Sequence, residues 1–215
     1  MKNTVVKVLV IASALSPLTA FAQAGKAAPT TATYIMKEEI DKILATEQSQ
    51  RTRDENAKVI DLGYENFALG IIHRGSTRTP APPAAGDGGA AAQAPSCGRA
   101  MATLPPGGTP GGITHDSQTE GYLIISGGGE MFTDGYIVNG RQSAQDAPGG
   151  PNGPTCGGMA YGVKKVTVKV GDIMIAPPGV VHGWSDIPDH VDYLSFRPSQ
   201  HVMQAGWVNA TIAKK

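Results

Sequence analysis

Alternation of apolar and polar residues dominates the second half of the chain. Between Lys164 and Val170, valine alternates with lysine or threonine at every second position, which is typical of a strand with one buried face. Similar strand-like runs cover residues 58–62, 67–74, 122–126, 173–176 and 193–196. No helical pattern separates these runs, so we expect an antiparallel sheet and an all-β class.

One helical pattern precedes the strands. Ile40, Ile43 and Leu44 recur at the spacing of one helix face between Met36 and Leu44, with charged residues on the other positions. We therefore predict an N-terminal linker and short helix over residues 23–57. A β-domain over 58–200 and a C-terminal tail over 201–215 follow.

Two stretches have no strand pattern. The segments 75–112 and 139–162 are rich in Gly, Pro and Ala, and the whole chain holds 28 Gly and 16 Pro in 215 residues. Such segments bury little apolar surface. We expect two long Gly/Pro-rich loops, which in a compact domain are lids or insertions.

The N-terminus resembles a secretory signal peptide. Lys2 and Lys7 are the only charges in residues 1–22, an apolar run follows from Val8 to Leu15, and Ala20-Phe21-Ala22 is a small-x-small cleavage site. The apolar run is shorter than the roughly 20 residues that span a bilayer. We predict cleavage after residue 22 and a periplasmic or secreted protein; the alternative is a retained anchor.

The charge balance argues against polyanionic partners. The chain has 18 basic and 18 acidic residues and no basic stripe. We therefore expect no nucleic-acid partner, and no membrane partner after signal removal.

The chain contains two cysteines. Cys97 and Cys156 are not in a Cys-x-x-Cys arrangement, which argues against a zinc-ribbon or redox motif. In an oxidising compartment we predict a disulfide between them. The alternatives are two free thiols or metal ligands.

A first spaced motif lies in the middle of the chain. It begins at Gly107 and continues through His115, Glu120 and Gly127, with four residues between His115 and Glu120. Ile113 stands two residues before His115.

A second motif lies in a Gly/Pro-rich turn between strand-like runs. It comprises Gly171, Pro177, Gly179, His182 and Asp186.

These two motifs, in this order on an all-β chain, resemble those of the cupin superfamily, in particular the small single-domain bacterial cupins of the cupin 2 type. The first cupin motif runs Gly, five residues, His, one, His, three or four, Glu, six, Gly. Here Ile113 occupies the first His position. The second motif runs Gly, five, Pro, one, Gly, two, His, three, Asn, and here Asp186 replaces Asn. The resemblance covers residues 59–197 and implies a jelly-roll-like antiparallel β-barrel.

The resemblance also implies a metal site. His115, Glu120 and His182 would bind one divalent ion; iron, manganese, nickel and zinc all accept imidazole and carboxylate ligands. Because Ile113 cannot coordinate, one position would be open or filled by another residue. The alternative is a metal-free barrel lined by these side chains.

Strand alternation adds two neighbours of the site. If Glu120 points inward, Tyr122 and Ile124 share its face, and Tyr122 becomes a candidate general acid or base. By the same step of two, Trp184 follows His182 and becomes a candidate substrate-binding residue. The alternative for Tyr122 is a core tyrosine with a satisfied hydroxyl, and Trp184 is pocket wall or core and not a catalytic group.

Two further residues are candidate substrate-binding groups. His73 shares a strand face with Leu69 and Ile71 and could replace the missing motif histidine; the alternative is an ordinary half-buried histidine. Arg197 could bind a substrate carboxylate; the alternative is a surface arginine at a strand end.

Cupin barrels host many chemistries, so the resemblance does not fix the function. Our first hypothesis is an enzyme, a metal-dependent oxygenase, isomerase or lyase that acts on a small organic molecule. The alternative is a non-catalytic module that binds a small ligand. Tightly bound metal favours the enzyme, because the ion would act as a Lewis acid or bind dioxygen. The sequence does not decide between a monomer and a homodimer.

Overall fold

The computed structural model describes residues 29–47, 52–79, 95–143, 153–200 and 202–213. The predicted signal peptide lies outside these residues, so its cleavage stays a prediction. Within the described part, no helix is long and apolar enough to cross a membrane.

One helix and eleven strands make up the described chain. Helix α1 spans Lys37–Glu47. The strands are β1 Thr52–Asp61, β2 Asn66–Gly75, β3 Ser96–Cys97, β4 Thr109–His115, β5 Glu120–Thr133, β6 Tyr136–Gln142, β7 Thr155–Tyr161, β8 Lys164–Lys169, β9 Ile173–Ala176, β10 His182–Asp186 and β11 His190–Ser199.

The predicted helix is confirmed as α1. The Glu39 side chain accepts a hydrogen bond from the Met36 amide at 2.9 Å, which satisfies a backbone donor at the helix N-terminus. Acidic residues in the first turn also suit the positive end of the helix dipole. The apolar face of α1 packs through Ile43 against Ile71 of β2.

The named strands pair antiparallel throughout, in the order β1-β2-β11-β5-β10-β4-β7-β6-β3, with β8 and β9 also paired to β5. β5 belongs to two halves of this sheet. Its N-terminal part joins β1, β2, β9 and β11, which we call half I. Its C-terminal part joins β3, β4, β6, β7, β8 and β10, which we call half II.

The expected closed barrel is wrong. The pairing order ends at β1 in half I and at β3 in half II, and no described pairing joins these two strands. The two halves instead face each other, connected through β5. The antiparallel, mostly β architecture is as predicted.

The inner faces of the two halves enclose an apolar core. Ile72, Tyr122 and Tyr193 from half I pack with Met131 of half II. Trp184 of β10 packs against the same cluster. The candidate site lies in this space between the halves.

The two segments expected to be long loops contain strands in their described parts. β3 and the start of β4 lie within 75–112, and most of β6 and all of β7 lie within 139–162. The sequence pattern did not indicate these strands, because they are rich in glycine and glycine is depleted in strands. A Cβ at Gly158 of β7 would lie 2.9 Å from the Cα of Gly140 in β6, so these strands approach too closely for larger residues.

The C-terminal segment extends the sheet at β1. Trp207 and Gly206 exchange backbone hydrogen bonds with Val59, and the Asn209 amide donates to the Ala57 carbonyl. The strand β1 itself begins at Thr52, ahead of the predicted start of the β-domain at 58.

Candidate metal centre

Three strand ends bring the predicted ligands together. His115 is the last residue of β4, Glu120 the first of β5 and His182 the first of β10. One ligand atom from each lies within 4.8 Å of the others, and all three residues are buried. The amide of Gly179 in the second motif donates to the His115 carbonyl at 2.8 Å, which ties the two motifs together.

Both imidazoles point Nε2 at the same carboxylate oxygen. His115 Nε2 and His182 Nε2 each lie 3.1 Å from Glu120 Oε2. Two donors at about 2.1 Å from one ion and at right angles to each other would be about 3.0 Å apart. The spacing therefore fits neighbouring positions around a single ion.

The outer nitrogens of the two rings fix their tautomers. His182 Nδ1 lies 3.0 Å from the Val180 carbonyl, which can only accept, so Nδ1 carries the proton. His115 Nδ1 lies 2.9 Å from the Thr155 hydroxyl, whose own proton goes to the Gly153 carbonyl. In the neutral rings both Nε2 atoms then present lone pairs to Glu120, an arrangement that a cation stabilises.

The second oxygen of Glu120 has protein partners. Arg197 Nε donates to Glu120 Oε1 at 2.6 Å, and the Ser195 hydroxyl donates to it at 3.0 Å. Burial opposes ionisation of Glu120, but the Arg197 guanidinium holds the pKa of its carboxyl well below the usual value. Glu120 is therefore a carboxylate, with Oε2 directed at the histidines.

Arg197 is buried, so the alternative of a surface arginine is wrong. Its side chain is 1% exposed. Besides Glu120 it binds the Asn56 side chain at 3.2 Å through Nη1. Because the guanidinium binds protein groups and does not line the cavity beside the site, the structure places it as a support for Glu120.

Tyr122 lies on the inner face, as alternation from Glu120 predicts. Its hydroxyl donates to Glu120 Oε2 at 2.6 Å. Burial and the nearby Glu120 charge raise the pKa of Tyr122 well above the usual value, so its hydroxyl is a donor at neutral pH. Burial also raises the pKa of Tyr193 to about 12, and the two rings lie 4.3 Å apart.

A cavity of about 280 Å³ lies beside the site. It is lined by Arg74, Gly75, Thr77, Gly111, Ile113, Tyr122, His182, Gly183, Trp184, Ile187 and Tyr193. Trp184 and Tyr122 thus have the positions that substrate-contacting residues require. Their roles stay predictions.

Ile113 leaves the side of the site next to the cavity without a protein ligand. It pairs in register with His182 and lines the cavity. Among the described residues, no fourth His, Cys, Asp or Glu joins the three ligands. The side chain at the first motif position is therefore apolar cavity wall.

His73 lies away from the three ligands. It shares the face of Leu69 and Ile71, which pack against α1, as the sequence pattern indicates. Its Nδ1 lies 2.6 Å from Asp192 Oδ1, and its ring stacks on His190 with centroids 6.3 Å apart. The structure does not bring His73 to the cavity or into the place of the missing motif histidine.

The disulfide is present as predicted. Cys97 of β3 and Cys156 of β7 are bonded, with Cα atoms 5.9 Å apart. Cys156 belongs to an apolar cluster of half II with Phe132 and Val181. Neither cysteine lines the cavity beside the ligands.

Sequence reasoning missed several residues of the site. Thr155, Ser195 and Asn56 orient the ligands or Arg197, and Arg74 lines the cavity. Only the alternation of β11 could have indicated one of them, because Ser195 and Arg197 are two residues apart on one face.

Comparisons with known proteins leave the family open. No family model matches the chain, and no curated protein matches it. One similar solved structure is an uncharacterized conserved protein with a double-stranded β-helix domain from Klebsiella pneumoniae subsp. pneumoniae. It is 14% identical, covers 79% of this chain and 93% of its own, and has a TM-score of 0.30. Another is Peruvianin-I, a cysteine peptidase from Thevetia peruviana latex. It is 12% identical, the match covers 97% of this chain and 98% of Peruvianin-I, and the TM-score is 0.34. At these scores neither likeness carries an argument about fold or function.

Proposed function

We propose that the protein is an exported cupin that binds one divalent metal through His115, Glu120 and His182 and acts as a metal-dependent enzyme on a small organic molecule. The observation that carries the proposal is the convergence of two imidazole nitrogens on one carboxylate oxygen, each at 3.1 Å, in a buried site. Such a donor set suits iron, manganese, nickel or zinc.

The cupin assignment rests on the two motifs and their local geometry. The four motif glycines, Gly107, Gly127, Gly171 and Gly179, all have positive φ angles. Such angles are accessible to glycine at little cost. The motif spacing thus has a conformational basis in this chain, beyond the match of letters.

The reaction class is an oxygenase, isomerase or lyase. A bound ion would supply Lewis-acid or dioxygen chemistry beside the cavity. Tyr122 would be the general acid or base at the cavity wall; its hydroxyl hydrogen is donated to Glu120 Oε2, so transfer of that proton to a substrate would require this hydrogen bond to break. Trp184 and Ile113 would exclude water from the substrate.

Export is supported by two independent features. Residues 1–22 have the pattern of a cleaved signal. The Cys97–Cys156 disulfide suits an oxidising compartment such as the periplasm or the exterior.

Elemental analysis of the purified full chain tests the proposal. We expect about one equivalent of a divalent metal after incubation and dialysis, and a large loss in Glu120→Gln, which changes the ligand with little change of shape. Glu130→Gln is the matched control, because Glu130 lies in the same strand and binds Lys165 at the surface. Equal metal content in Glu120→Gln and the wild type would contradict the site. A wild-type protein that takes up none of the four metals yet binds small ligands would favour a binding module.

A further inference from the structure

Arg74 lines the cavity beside the candidate metal ligands. Among the described residues that line this cavity, it alone carries a permanent charge. Arg74 lies on the inner face of β2, two residues after Ile72, which belongs to the core between the halves. It pairs in register with Val191 of the same core cluster. The guanidinium therefore belongs to the interior side of half I, the side that carries Glu120 and Tyr122.

Arg74 is held in place by an ion pair. Its Nη2 lies 2.6 Å from Asp54 Oδ2, and its Nη1 donates to the His73 carbonyl at 3.3 Å. The side chains of Arg74 and Asp54 are only 18% and 19% exposed. A cation fixed at a half-buried wall keeps its position when a ligand enters, which reduces the entropy cost of binding.

The rest of the wall is mainly apolar or aromatic. Trp184 and Tyr193 have ring centroids 5.8 Å apart, and Ile113 and Ile187 complete the apolar part. Such a cavity suits a small ligand with an apolar, planar body and one polar end. His182 lines the same cavity, so a bound ligand can lie between Arg74 and the metal ligands.

The charges of the site favour an anion. On the inner side of half I, Arg74 and Arg197 balance Asp54 and Glu120, and Asp54 lies between the two arginines, 3.9 Å from Arg197 through its other oxygen. A divalent ion on His115, Glu120 and His182 would leave this cluster with the charge of the ion. A ligand carboxylate would offset part of that charge in a site with little water, where charges interact strongly.

From these features we propose that the cavity binds a small carboxylic acid, with its carboxylate on Arg74 and its apolar body against Trp184 and Tyr193. A guanidinium carries five N–H donors, so it can bind a ligand carboxylate while it keeps its contacts to Asp54 and the His73 carbonyl. Small carboxylic acids would then be the substrate class of the enzyme proposed above, a statement that rests on that proposed function. The binding itself can be measured without any turnover.

Benzoate is a suitable probe, and benzamide is its neutral counterpart of nearly the same shape. Binding of each is measured by calorimetry on chelator-treated and on zinc-loaded protein, with the zinc content of every sample determined. We expect zinc-loaded wild type to bind benzoate about tenfold or more tightly than benzamide, and zinc to strengthen benzoate binding.

Variants at Arg74 locate the contact. Arg74→Gln alone would leave the half-buried Asp54 without its nearest cation, so the double variant Arg74→Gln/Asp54→Asn removes both charges and keeps the pair neutral. We expect it to lose the preference for benzoate while retaining zinc. Arg141→Gln is the control, because Arg141 is an exposed arginine on β6 that binds Ser96.

Two results would overturn the inference. One is equal binding of benzoate and benzamide by the wild type. The other is an undiminished preference for benzoate in the double variant, which would place the carboxylate on the ion alone. A failure of the metal site would show separately as no bound zinc in the wild type, and the chelator-treated samples would then still test Arg74.

Discussion

At the scale of single residues, the two oxygens of Glu120 have different environments. Oε2 faces both histidines and the Tyr122 hydroxyl, while Oε1 is bound by Arg197 and Ser195. A carboxylate held in this way offers one oxygen to an ion and keeps the other on the protein. The orientation of Glu120 therefore depends on the position of the Arg197 guanidinium.

Gly70 leaves the space that Arg197 fills. It lies on β2 opposite Ser195, and a Cβ placed there would be 2.8 Å from Arg197 Cζ. That distance is shorter than side-chain packing allows, so a larger residue must displace the guanidinium from the position in which it binds Glu120.

We expect Gly70→Ala to weaken metal binding about tenfold, as changes in groups that orient metal ligands do. The same substitution should lower the free energy of unfolding by about 1–3 kcal/mol, because it overpacks a buried position. Metal competition with a chromophoric chelator measures the first effect, and urea unfolding of the chelator-treated protein measures the second.

Gly121→Ala is the matched control for this prediction. Gly121 lies in the same half of the sheet, and its added Cβ would meet its nearest neighbour at 3.7 Å, an ordinary contact distance. If Gly70→Ala and Gly121→Ala gave the same metal affinity, the dependence of Glu120 on Arg197 would be refuted.

The sequence predicted the three candidate ligands but not the residues that support them, for a physical reason. His115, Glu120 and His182 belong to two local motifs whose spacing carries the information. Asn56, Gly70 and Arg197 belong to three strands, and they meet only because β1, β2 and β11 pair in one particular register. A shift of register by one residue would turn each side chain to the other face, and no pattern within one strand fixes that register.

At the scale of elements, β5 connects the two halves of the sheet. The sequence predicted a strand over 122–126 that ends before Gly127, yet β5 continues to Thr133. Three successive glycines normally indicate the end of a strand. Here they allow β5 to leave the neighbours of half I and join those of half II while other backbones approach closely.

Gly127 shows the requirement most clearly. Its φ angle is +64°, and a Cβ at this position would lie 1.9 Å from the His190 carbonyl oxygen in β11. Backbone of either β5 or β11 would have to move to accept any side chain.

We expect Gly127→Ala to lower the free energy of unfolding by about 3 kcal/mol or more, the sum of a left-handed backbone conformation and a backbone clash. Gly171→Ala separates the two causes, because Gly171 has a φ of +91° with no atom within 4 Å of its added Cβ. For Gly171→Ala we expect about 1–2 kcal/mol, from the conformation alone. Urea unfolding measures the free energy of unfolding of both variants, provided that their m-values equal that of the wild type. Equal losses of stability in the two variants would contradict the close approach of backbone at Gly127.

At the scale of the whole molecule, the sheet is open and a disulfide cross-links two strands of half II. The disulfide joins the two-residue strand β3, at the end of the pairing order, to β7 across a sequence separation of 59 residues. β3 itself pairs with two residues of β6, and the flanking Pro95 and Arg99 add backbone hydrogen bonds to the same strand. The all-β class, the helix and the cysteine pair were predictable from sequence, whereas the open order of strands depends on long-range pairings that periodicity does not encode.

The bridge could act as a lid over the site or as a staple of the fold, and its position favours the staple. The two cysteines do not line the cavity that contains His182. Cys156 does lie next to Thr155, which orients His115, and pairs in register with Thr114. Loss of the bridge would therefore disturb His115 only if β7 moved far enough to break the hydrogen bond between Thr155 and the His115 ring.

We expect Cys97→Ser/Cys156→Ser to lower the free energy of unfolding by up to about 4 kcal/mol, the loop-closure entropy for a ring of this length. In the folded fraction, metal content and ligand binding should stay at wild-type values, because a staple acts on the unfolded chain and not on the cavity. Urea unfolding without reductant measures the first quantity, and elemental analysis at low urea measures the second. Wild-type protein treated with reductant is the control and should match the double variant. Two alkylated thiols in protein purified without reductant would contradict the disulfide. Unchanged stability of the double variant would contradict its role as a staple. Unchanged stability together with altered ligand binding would indicate a lid.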